Sequence, residues 1–321
     1  MMHRAGYDPR RNCWPLATVS CLVALALLVP AGCASTSSQW VSLRATPSNP
    51  LTDTLGLLTK QGPKATPRTV QLLRRYDLDA KQAAAGKELL GKIREIDQTD
   101  PDRDHLYAIA ELAYVGGKRA ERTGEEQDAL ELFATAVTYS YRYLFDDGYT
   151  ARSNPYDPQF RRACDLYNGA LGDMLRTLQA REPIRPATAR VVETASCQCR
   201  IEVRLHSRHW HNEDLDHFEF VADYQVHGLR NHYHNYGLGV PLIGVRRHHA
   251  DEDPREQYYP PALSFPVTAF LRILPTQAGS AGSTVAPHRL QAVLELHDPL
   301  ARSAVDVAGA AVPLETALRT P

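Results

Sequence analysis

The chain has 321 residues, 23% of them charged and 43% hydrophobic, and 36 Lys and Arg stand against 37 Asp and Glu for a formal net charge of −1. That balance, with no basic stripe interleaved with aromatics, leaves no electrostatic footprint for a polyanion and excludes nucleic acid as an expected partner. Six cysteines in a chain this long are too few for a disulfide-stapled scaffold, so the fold must rest on a hydrophobic core.

The N-terminus reads as an export signal over residues 1–32. Arg4, Arg10 and Arg11 precede an apolar run from Leu16 to Val29, followed by Pro30-Ala31-Gly32-Cys33, which is the charged, apolar and small-residue order of a secretory signal. About fourteen helical residues rise only ~21 Å, short of the roughly 30 Å hydrocarbon core of a bilayer, so cleavage is favoured over a spanning segment. Val29-Pro30-Ala31-Gly32-Cys33 resembles a lipobox, although Pro30 stands where that pattern usually has Leu. The resemblance implies lipidation of Cys33 and a membrane partner through the lipid anchor. It places the mature chain in the cell envelope, on the periplasmic face of the outer membrane. An uncleaved anchor and an ordinary signal peptide are the alternatives. Arg10-Arg11 is followed by Asn12-Cys13-Trp14-Pro15 and matches a twin-arginine signal poorly.

Residues 33–65 are rich in Ser, Thr, Pro and Gly and read as a tether. The remaining length suits two domains of ordinary size, a helical one over 66–182 and a β-rich accessory one over 183–321, in the α+β class. Thr66-Pro67 and Asp157-Pro158 each join a capping side chain to a proline at the first helical position, so both predict helix starts. Leu106, Ile109, Ala110 and Ala113 form one apolar face, and Leu130, Phe133, Val137, Tyr141 and Leu144 another. The longest stripe is Phe160, Ala163, Tyr167, Ala170, Leu171, Met174, Leu175 and Leu178, at the spacings of a helix packed along one side. Gly124 to Ala136, with Leu106 to Tyr114 before it, resembles one tetratricopeptide hairpin. No second copy recurs at a period of about 34 residues, and any antiparallel helix pair produces the same pattern.

Beyond Pro183 the period shortens. Arg200 to His206 alternates polar and apolar, placing Ile201, Val203 and Leu205 on one side of a strand. Further strands are expected at Phe220–Val226, Pro241–Val245, Pro266–Ile273, Gln291–Leu296 and Ala304–Val307, with a long loop from Thr276 to Pro287.

Nine histidines fall between His206 and His249. His209 with His211, and His232 with His234, would share a face in extended segments and are the candidate metal ligands, with Glu213, Asp214 and Asp216 as oxygen donors. No H-E-x-x-H spacing accompanies them, and solvated surface histidines are the favoured reading. Cys197 and Cys199, two apart on an extended segment with Cα atoms roughly 6.5 Å apart, bond each other awkwardly. A disulfide from Cys164 to Cys197 or Cys199 is the alternative. The G-x-S-x-G elbow of a serine hydrolase is absent, and its nearest imitation, Gly279 to Ser283, lacks the flanking glycines. No phosphate loop, dinucleotide fingerprint or C-x-x-C knuckle is present, so no cofactor is implied.

Tyr224-Gln225-Val226-His227-Gly228-Leu229-Arg230 and Gly237-Leu238-Gly239-Val240-Pro241-Leu242 resemble the region ahead of the catalytic domain in planctomycete-type bacterial lipoprotein α/β-hydrolases. Phe265 to Leu271, Leu294 to Pro299 and Val312 to Glu315 resemble that group's later blocks in the same order, so the resemblance spans roughly 200–321. It implies ester hydrolysis for a full-length relative, with the nucleophile and its triad in a domain that would follow Pro321. No catalytic residue carries over to this chain. The expected function is therefore a membrane-anchored accessory or interaction module, with a hydrolase domain in cis or in trans as its partner. The alternative is one part of a serine esterase.

Overall fold

The computed structural model describes residues 41–78, 86–149, 156–227, 235–248, 256, 258–260, 263–274 and 289–316. Both predicted helix starts are in place. Helix α1 (Pro67–Arg75) follows Thr66, and α5 (Pro158–Arg181) follows Asp157, whose carboxylate accepts the Gln159 N–H at 2.8 Å. Thr66 makes no side-chain cap of its own. A buried carboxylate, Glu111, takes over that end by accepting from the Thr66 N–H at 2.5 Å and from its hydroxyl at 2.9 Å.

Between them lie α2 (Gly86–Thr99), α3 (Arg103–Thr123) and α4 (Glu126–Phe145). Gly124 ends α3 at φ +78, the left-handed conformation that glycine adopts without a Cβ clash. Only Gly124 and Glu125 separate it from α4, so α3 and α4 pack as one antiparallel hairpin. All the predicted face residues of α3 and α4 are buried, as are those of α5 from Ala163 to Leu178, with Phe160 partly covered. Each fully buried Leu or Phe contributes ~1.5–3 kcal/mol. The faces of the hairpin are covered by α5 and α2, which differ from it in sequence, so its burial calls for no tetratricopeptide array. No helix among the described residues is long and apolar enough to cross a membrane.

The β part is a six-stranded mixed sheet in the order β2-β3-β8-β7-β6-β4. Its strands are β2 (Ala189–Glu193), β3 (Gln198–His206), β4 (Leu215–Phe220), β6 (Val240–Arg246), β7 (Ser264–Ile273) and β8 (Arg289–His297). Neighbours pair antiparallel except β3 with β8, which run parallel. Two small antiparallel pairs complete it: β1 (Val41–Leu43) with β5 (Tyr224–Val226), and β9 (Ala304–Val307) with β10 (Ala310–Pro313). The expected strand Phe220–Val226 is thus two strands. A 3-10 turn at Val221–Asp223 separates β4 from β5, because the chain leaves the sheet there to pair with β1.

Two further expectations are corrected. The segment read as tether is folded from Val41 onward, and Leu51, Leu55 and Leu57 in it are 2–6% exposed within the core. The boundary at 182/183 separates a helical layer from a sheet layer, but both share one hydrophobic core. Tyr167 of α5 joins them. Its buried hydroxyl donates to the Leu271 carbonyl at 2.7 Å and accepts the Leu271 N–H at 2.8 Å. Pairing of β6 with β7 stops at Val240–Ala269, so the hydroxyl occupies the place of a missing strand.

Candidate functional site

Besides its apolar stripe, α5 carries a second face. Asp165, Asn168, Gly169, Gly172, Asp173 and Arg176 recur at helical spacing and all line one cleft of about 670 Å³, within the ~300–1,000 Å³ range of ligand pockets. Its other walls come from residues 46–58, from Lys118, Glu121 and Arg122 on α3, and from Phe220 and Tyr224. Tyr236, Gly239, Val240, Pro241 and Glu315 close the last side.

That last wall is a corner built where residues 237–239 meet residues 313–315 and 268–269. The Leu238 N–H donates to the Pro313 carbonyl at 2.9 Å, and the Glu315 N–H donates to the Leu238 carbonyl at 3.0 Å. The Glu315 carboxylate accepts the Gly237 N–H at 2.6 Å, and the Thr268 hydroxyl donates to the Glu315 carbonyl at 2.9 Å. Asn168 ties the corner to α5, donating to the Gly237 carbonyl at 3.0 Å and accepting the Gly239 N–H at 2.8 Å. Two glycines are required here. A Cβ on Gly237 would lie 2.3 Å from the Pro313 carbonyl oxygen, and Gly239 sits at φ +110 with its Cβ position 2.7 Å from the Ala269 carbonyl oxygen.

At the base of the cleft the Tyr114 hydroxyl donates to Asp173 at 2.9 Å and accepts from the Asn49 amide at 2.7 Å. Lys118 contacts Asp173 at 3.3 Å and also pairs with Glu121. Burial works against the Lys118 charge, but the two carboxylates outweigh it and raise its pKa, so it remains an ammonium. Burial raises the Asp173 carboxyl, and the ammonium and the tyrosine hydroxyl oppose that rise. Burial also pushes the Tyr114 hydroxyl far above its ordinary value, so it stays a donor. On the walls, Arg176 grips Asp223 through both terminal nitrogens, at 2.8 and 2.7 Å, and stacks 4.1 Å over the Phe220 ring. Arg161 pairs with Asp165 at 3.0 Å and stacks 4.4 Å over Tyr236. The cleft thus presents donors and acceptors from locked ion pairs, between aromatic faces.

The predicted metal ligands form no site among the described residues, where no cluster of three His, Cys, Asp or Glu can hold an ion. His209 and His211 are exposed in the turn before β4, and His211 serves a local cap with its N–H on Asp214 at 2.8 Å. His232 and His234 lie outside the described residues, as does Cys33. Cys164, Cys197 and Cys199 are free thiols, so the possible disulfide from Cys164 to Cys197 or Cys199 is not formed. Cys164 lies on α5 within the electrostatic reach of Glu315, whereas Cys197 and Cys199 belong to the β2–β3 hairpin at the far edge of the sheet. Burial holds the Cys164 and Cys199 thiols up at about 12.

A polar cluster unforeseen in the sequence sits on β7 and β8. Arg272 grips Glu295 at 2.9 and 3.1 Å, and His297, 1% exposed, reaches the same carboxylate at 3.1 Å while stacking on His206 at 4.9 Å. Burial pushes the Glu295 carboxyl up, but hydrogen bonds from His297 and Arg272 outweigh it and bring it down to about 2. Among the described residues one Ser–His side-chain pair is hydrogen-bonded, Ser42 to His227 at 2.8 Å, and no carboxylate there orients the imidazole.

The cleft residues had a readable signal in the polar and small positions 165, 168, 169, 172, 173 and 176, which follow the same helical period as the apolar stripe. Compared with protein-family models, curated proteins and solved structures, the chain matches none.

Proposed function

We propose that this chain is an envelope lipoprotein held in the outer membrane through Cys33, whose folded part is a non-catalytic accessory or interaction module that binds through the cleft. The observation that carries the reading is the commitment of the cleft's polar groups to structure. Asn168 and Glu315 hold the glycine corner, Asp173 holds Tyr114 and Lys118, and Asp223 holds Arg176. Groups locked this way present a fixed recognition surface, whereas a nucleophile needs a base that can take its proton. A hydrolase domain, in cis or in trans, is the partner class that the sequence resemblance supplies.

The test is turnover. The mature protein is expected to hydrolyse short-chain acyl esters no faster than buffer does. Turnover abolished by a single serine substitution, with Ser42→Ala tried first because of its contact with His227, would overturn the non-catalytic reading.

A further inference from the structure

We propose that the end of the molecule formed by β1, β5 and the cleft mouth rests on the bilayer surface, with Val41, Leu43 and Leu58 entering the headgroup region. The inference rests on lipidation of Cys33 and deepens it by naming the face that meets the lipid. The described residues begin at Val41, eight residue steps from Cys33. Those steps span at most ~29 Å when fully extended, less than the roughly 50 Å diameter expected for a folded body of this length. An anchor this short keeps the β1 end near the membrane and leaves the opposite end beyond its reach.

The side chains at that end fit an interface. Val41 is 50% exposed and Leu43 72%, and as alternate residues they share one face of β1. Ser42 points the other way, to His227. Leu43 is in register with Tyr224, which lines the cleft together with Leu58, itself 63% exposed. Arg44, next in the chain, is exposed and donates to the Tyr224 carbonyl at 3.1 Å. Its apolar stem and charged tip suit the boundary between acyl chains and headgroups. The topology supplies an internal control. β5 follows β4, the strand at one edge of the six-stranded sheet, whereas Val191, 64% exposed, lies on β2 at the opposite edge.

The experiment uses the full lipidated protein in phospholipid vesicles, with Leu43, Leu58 or Val191 replaced singly by the photoreactive residue p-benzoylphenylalanine. Each sample is also assayed for fatty acid on Cys33. Irradiation is expected to give phospholipid adducts at positions 43 and 58 and a loss of that product at 191. Equal yields at the three positions, or none at 43 and 58, on protein that carries the fatty acid would overturn the proposed face and leave the anchor standing. Absence of fatty acid from Cys33 would overturn the anchor and, with it, this inference.

Discussion

Gly237→Ala is expected to destabilise the protein by about 3 kcal/mol or more, because the new methyl meets backbone that cannot turn aside. Its Cβ would stand 2.3 Å from the Pro313 carbonyl oxygen, 2.5 Å from the Leu314 carbonyl carbon and 2.7 Å from the Glu315 nitrogen. Relief requires prying apart the segments joined by the Leu238–Pro313 and Glu315–Leu238 hydrogen bonds. The wall of the cleft opens with them. In thermal unfolding the loss corresponds to a midpoint lower by about 6 °C or more for a chain of this size. Gly91→Ala is the matched control. Gly91 lies inside α2 with nothing within 4 Å of its Cβ position, so alanine there is expected to gain up to about 1 kcal/mol from helix propensity. Equal midpoints for the two variants would show that the corner does not hold the fold.

Tyr167→Phe is expected to cost about 2–4 kcal/mol, since it removes one oxygen and leaves two buried backbone groups without a partner. The phenyl ring keeps its contacts with Tyr141 and Phe270 at 6.3 and 5.8 Å between ring centroids, so packing is nearly unchanged. The loss therefore isolates the hydrogen bonds to the Leu271 N–H and carbonyl. Hydrogen exchange at the Leu271 amide reads the local effect. Its protection should fall in the variant more than that of Leu296, a buried β8 residue on the adjoining strand pair. An unchanged denaturant midpoint with full protection at Leu271 would contradict the role assigned to Tyr167.

The helical layer was legible because local rules agree there. Proline after a capping residue marked two helix starts, and the apolar spacing on α3, α4 and α5 named residues that are buried. Most strands followed from their alternation. What escaped was set by long-range pairing. Val41–Leu43 carries too short a pattern to be read as a strand and is one only because Tyr224–Val226 lies against it. The same pairing divides the predicted strand 220–226. Residues 46–64 have a linker composition, yet Leu51, Leu55 and Leu57 find a core to enter.

The candidate site was legible in parts that no sequence pattern joins. Gly237 and Gly239 stand together in one sequence block, and the structure makes them a fixed corner through the approach of residues 313–315 and of Ala269. The histidine-rich segment drew attention through its composition, yet His209 and His211 are turn residues. Lys118 and Asp173 are 55 residues apart in sequence and meet because α5 crosses α3.

The central claim is that the chain is held to a membrane at Cys33. Growth with radioactive palmitate followed by isolation of the protein tests it directly, with Cys33→Ala as the comparison. Label on the natural protein that the substitution abolishes, together with release of the variant from the membrane fraction, is the predicted result. An unlabelled protein, or equal label on both, would contradict it.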